Sequence, residues 1–172
     1  MEAWLFGLVI LVGVAETLLS LVWNRLYFSI GIPIFRRKVD VSSPGPRVPA
    51  TDRLEAALTK SAFPPLAFHS WAPDHYGFRE KGWRGGLRLG YTPIMRGRLT
   101  FQLTAARVEV VGLLNWFTLF FVAFAFFAVP RDGSRFLWFL AGLLGLIYLM
   151  QSRRYGQVAR TAAAEWSASG VV

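Results

Sequence analysis

The chain has 172 residues, 54 % of them hydrophobic and 16 % aromatic, with a formal net charge of +9 and a mean hydropathy of +0.40. So high an apolar content excludes a disordered tail or linker. The absence of cysteine excludes disulfides, thiolate metal sites, cysteine nucleophiles and iron–sulfur ligation. The apolar residues crowd into three blocks, 3–23, 113–129 and 136–150, with a polar, basic stretch between the first two. This distribution predicts an α-helical integral membrane protein with three transmembrane helices and a small, mainly β cytoplasmic domain inserted between helices 1 and 2.

Residues 1–25 are read as the first span. The start lacks a positive n-region and no small-residue cleavage site follows, so the block is expected to stay as an anchor. It holds one carboxylate, Glu16, which shares a polar stripe with Gly13, Thr17, Ser20 and Asn24 at helical spacing. A carboxylate at mid-bilayer costs at least ~2.5 kcal/mol and normally has a partner. Asn115, Tyr148 and Gln151 are the candidates at comparable depth. A proton relay would need several ionisable groups in series, and the apolar blocks offer one. Glu16, Thr17, Ser20 and Asn115 are therefore read as helix-packing or partner-contact residues.

Residues 26–38 are expected to lie along an interface, since Gly31 and Pro33 interrupt a short apolar run. Arg36, Arg37 and Lys38 then meet anionic lipid headgroups, each worth about 1 kcal/mol there. Residues 39–111 form a basic cytoplasmic α+β domain, within a stretch, Arg25 to Arg107, that carries 14 basic and five acidic residues. Asp52 and Glu55 have capping-box spacing, and Leu54, Ala57 and Leu58 mark one apolar face of a helix reaching about Ser61. Strands are predicted over 66–71 and 76–79 around an Ala-Pro-Asp turn, and a hairpin over 98–110, where Leu99, Phe101 and Leu103 alternate with polar residues.

His69 and His75 fit no zinc spacing, and the glycine-rich basic run 81–90 does not match the Walker pattern. No catalytic residue, metal or cofactor is expected. Nucleic acid is not expected either, because a domain tethered at both ends to a membrane meets headgroups first.

Residues 112–130 are read as the second span, with Phe117, Phe120, Phe121, Phe124 and Phe127 forming a ridge that faces lipid, a protein or an apolar cofactor. Residues 131–135 form a short external turn, and 136–152 the third span, where Ala141 and Gly145 give a small-residue face for close helix approach. Residues 153–172 are an amphipathic tail: Tyr155, Val158, Ala162 and Trp166 share one face, and Arg153 and Arg154 meet headgroups. Lys and Arg counts place the N-terminus outside and the C-terminus in the cytoplasm of the cell's inner membrane.

The function expected from these features is that of a non-catalytic accessory or scaffolding subunit of a larger integral-membrane complex, respiratory or photosynthetic, contacting other integral membrane subunits and anionic lipid headgroups. The alternatives are a stand-alone membrane enzyme or transporter using Glu16, and a membrane-tethered binder of anionic lipid or an acidic protein.

Overall fold

The computed structural model describes residues 3–59, 65–80, 94–128 and 134–169. Five strands, β1 (Pro33–Asp40), β2 (Leu66–Ala72), β3 (His75–Glu80), β4 (Met95–Gln102) and β5 (Arg107–Leu114), form one antiparallel sheet in the order β1-β5-β4-β3-β2. The helices are α1 (Ala3–Leu21), α2 (Arg25–Ser29), α3 (Thr51–Thr59), α4 (Trp116–Ala128) and α5 (Ser134–Ala168).

Alternation makes the sheet two-faced. Leu99 pairs with Val110 and Phe101 with Val108, and these four side chains are completely buried on one face. Arg98, Thr100 and Glu109 take the intervening positions. The core face is covered by α3 and by the C-terminal half of α5, whose Tyr155, Val158, Ala162 and Trp166 join Phe78, Met95 and Phe101 in one cluster. Trp166 meets Phe101 edge-on at 5.4 Å, Tyr155 meets Phe78 at 4.8 Å, and the Trp166 indole N–H donates to the Gly45 carbonyl at 3.0 Å. Burying each such side chain contributes about 1.5–3 kcal/mol, which makes α5 the principal cover of the sheet.

The fold is therefore mixed α/β, and the expected three-helix membrane architecture is corrected. Among the described residues only one helix, over Arg135–Ala168, is long and apolar enough to cross a membrane, while Phe6–Leu21 and Trp116–Phe127 are shorter apolar helices. Classification as a membrane protein on the strength of three crossings falls with that count. No proline or glycine separates Met150 from Arg154, so the third apolar block and the amphipathic tail are one continuous helix of 35 residues. Its amphipathic face is spent on the sheet.

Residues 26–38 divide between α2 and β1, with β1 pairing β5 through Asp40↔Arg107 and Lys38↔Glu109. Residues 81–93 and 129–133 lie outside the described residues, and with them the glycine-rich basic run and most of the expected external turn.

At one end of the sheet the Asn115 amide donates to the Ile94 carbonyl, the Leu114 amide to the Ile32 carbonyl, and the Gln151 side chain accepts from the Ile94 and Met95 amides. Three apolar segments meet this end: α1 near Glu16, α4 at its first residue, and α5 midway along its length. Phe117 lies against Gly13 and Phe124 against Phe6, so α1 and α4 run antiparallel. The apolar side chains beyond this end are open to the surroundings, among them Trp4, Phe126, Phe127 (81 % exposed) and Trp138 (78 % exposed).

Candidate functional site

The densest polar constellation sits where α1 meets the sheet. α1 ends in a left-handed residue, Trp23 (φ 54°), whose amide donates to the Ser20 carbonyl while the Asn24 amide reaches back to Leu19. That pair of bonds closes a helix C-terminus, usually around glycine, and the left-handed backbone costs an L residue about 1–2 kcal/mol. The Trp23 side chain offsets this by stacking on Phe28 and on His69, and the Trp23 backbone carbonyl accepts the Trp71 indole N–H at 3.0 Å. Asn24 then caps α2 by accepting from the Tyr27 amide. The turn aims Tyr27 back towards α1.

Glu16 is 8 % exposed. Its Oε1 accepts from the Tyr27 hydroxyl at 2.7 Å, the Trp116 amide at 2.9 Å and Arg96 Nη1 at 3.4 Å; its Oε2 accepts from the Phe117 amide at 2.6 Å. An α-helix leaves its first N–H groups unsatisfied, and α4 has no acidic residue in its first turn. Glu16 supplies that anion from another helix, where the dipole favours it.

Arg96, 3 % exposed, donates from Nε to the Tyr27 carbonyl, from Nη1 to the Leu114 carbonyl and from Nη2 to the Ile30 carbonyl, at 2.6–2.9 Å. Its guanidinium stands 4.1 Å from the centre of the Tyr27 ring. Burial holds the Tyr27 phenol well above its ordinary range, and the neighbouring Glu16 carboxylate adds to this. Burial also lowers Arg96, against the opposing pull of Tyr27 and Glu16.

Such a carboxylate has little to offer a substrate, since both oxygens are committed to donors within the chain. The arrangement fastens α1, α2, α4 and β4 at one point.

The remaining candidates divide clearly. Thr17 bonds back to the Gly13 carbonyl of its own helix, and Ser20 lines the cleft beside α1. Asn115 precedes α4, and its carbonyl accepts from Leu119. Tyr148 donates to the Ile34 carbonyl and Gln151 holds the end of β4, so neither reaches Glu16 by a described hydrogen bond.

Of the phenylalanine ridge, Phe117, Phe121 and Phe124 are partly buried, with Phe117 stacked on Phe121 and Phe124 beside Phe6, whereas Phe120 and Phe127 are exposed. Ala141 and Gly145 lie on the exposed half of α5, and a Cβ at Gly145 would meet nothing.

Arg36, Arg37 and Lys38 are exposed on the edge strand β1, where Arg36 pairs with Glu109 and Arg37 lies over Gly156. Arg153 is exposed. Arg154, expected at headgroups, is 1 % exposed and turned into the protein body.

His75 bonds Asp74 at 2.7 Å while His69 is held between Trp23 and Trp71, and among the described residues no group of three or more His, Asp or Glu could hold a metal. The His75 bond holds the Asp74 carboxyl below its ordinary value.

Tyr27 and Arg96 are the members that sequence reasoning missed. No sequence signal marks Arg96, because Arg98 stands two positions along the same strand with the same side-chain parity. Comparison with protein-family models, curated proteins and solved structures finds no match.

Proposed function

We propose that the chain is a non-catalytic component of a larger assembly, in which the sheet and its covering helices form a rigid basic body and the exposed apolar parts of α1, α4 and α5 contact other subunits. The supporting observation is the concentration of exposed large apolar side chains on these segments, all meeting one end of the sheet. Exposed apolar surface concentrated in this way marks an interaction site rather than ordinary solvent-facing surface. The Glu16–Arg96 junction supports the reading because it uses its charges to hold the helices, leaving them committed internally.

The setting proposed is the inner face of the cytoplasmic membrane. The N-terminal half of α5 belongs to the one helix of span length among the described residues, and anionic headgroups and neighbouring subunits are the proposed contacts. Extraction in a mild detergent followed by native mass measurement tests this. Co-recovery with other polypeptides at fixed stoichiometry is expected, and recovery as a monomer alone would remove the proposal.

A further inference from the structure

A cleft of about 700 Å³ runs between α1 and the end of the sheet, within the size range of small-molecule sites. Ile10, Val14, Leu18 and Leu21 of α1, with Phe117 of α4, give it an apolar wall. From Ile10 to Leu21 that wall is about 16 Å long at the helical rise. Its charged lining is Glu16, Arg79, Glu80 and Arg96.

These charges are not equivalent. Glu16 and Arg96 are bonded to each other and to backbone groups, and Glu80 has a partner of its own. Arg79 differs: among the described residues it forms no ion pair, its buried Nε–H has no hydrogen-bond acceptor, and its guanidinium rests 4.9 Å from the Trp23 ring centre. A desolvated N–H without an acceptor is costly, and an oxyanion is the strongest acceptor a guanidinium can receive.

We propose that this cleft binds an anionic amphiphile with a single long alkyl chain, its chain along the α1 wall and its carboxylate or phosphate head at Arg79. The apolar wall contributes affinity through burial, and the Arg79 charge selects acids over neutral chains. The wall residues Ile10, Val14, Leu18 and Leu21 belong to the exposed apolar surface of α1, so a bound amphiphile and a neighbouring subunit would share them, and binding is tested on the isolated chain.

Equilibrium binding to the purified full chain tests it, using oleate, dodecyl phosphate, oleyl alcohol and inorganic phosphate as probes, with Arg79→Gln and Val14→Trp as variants checked for intact circular dichroism. Saturable one-to-one binding of oleate or dodecyl phosphate, at least tenfold tighter than oleyl alcohol and at least tenfold weakened in either variant, is expected. The tighter of the two acids identifies the head group, and inorganic phosphate binds more weakly than either. Equal binding of oleyl alcohol and oleate overturns the proposal, as does unchanged oleate affinity in both folded variants. Should Arg79→Gln fail to fold, the comparison of oleate with oleyl alcohol and the Val14→Trp variant decides alone.

Discussion

Glu16 Oε2 lies 2.6 Å from the backbone nitrogen of Phe117, 101 residues further along the chain, so that a side chain on one helix caps the start of another. The other oxygen of the same carboxylate accepts from Arg96 of β4 and so joins the apolar α1–α4 pair to the sheet.

Removing the cap should be expensive. Glu16→Ala leaves Arg96 buried without its counter-charge and leaves the first amides of α4 without an acceptor, and a loss of about 3–5 kcal/mol is expected. Glu16→Gln keeps an acceptor for the amides and should lose about half as much. Denaturant unfolding of the two variants checks the order.

The Tyr27 hydroxyl gives a pH signature. Its phenol is raised in the folded protein by burial and by Glu16, so its contribution is present below the ordinary tyrosine value of about 10 and is lost as pH rises beyond it. The protein should lose stability above about pH 10, and Tyr27→Phe should flatten that decline. Spectrophotometric titration should find one fewer tyrosine ionising only on unfolding in the variant.

Gly97 lies under Phe78, where an added Cβ would overlap the buried ring. Gly97→Ala should cost about 1–3 kcal/mol. Combining it with Phe78→Leu should cost less than the two single changes summed, because the smaller side chain relieves the overlap. Thermal unfolding of the four proteins measures this coupling.

The two halves of α5 should respond oppositely. Trp166 is 1 % exposed in the core, and Trp166→Ala should cost about 3–5 kcal/mol. Trp138 is 78 % exposed, and Trp138→Ala should stay within about 0.5 kcal/mol. Denaturation curves separate them.

Local features were readable from the sequence where neighbours along the chain decide them. The helix at Thr51–Thr59, the 98–110 hairpin and the turn at 73–74 follow from helical apolar spacing, alternation and turn chemistry, while the Asp52–Glu55 capping box is not formed, since Asp52 lies within the first turn. Even there the role of Glu55 differs: its carboxylate accepts from the Phe68 amide and ties α3 to β2.

What the sequence concealed depends on distant partners. The run Pro33–Asp40 reads as interfacial because its strand pairing is with residues more than 65 positions away, and an edge strand need not alternate cleanly. Likewise, an amphipathic face such as that of Tyr155, Val158, Ala162 and Trp166 fits a sheet as well as a headgroup layer, and the pattern alone does not choose. Glu16 stands out as a lone carboxylate, but its partners Tyr27 and Arg96 are brought to it only by the turn at Trp23 and the register of β4.

The central claim is that the outward apolar half of α5 touches other subunits while its inner half holds the sheet. Site-specific photocrosslinking from position 138, with the exposed position 160 as reference, tests it directly. Adducts to other polypeptides from 138 and few or none from 160 are predicted. Equal yields from both positions, or no polypeptide adduct from 138, would contradict the account.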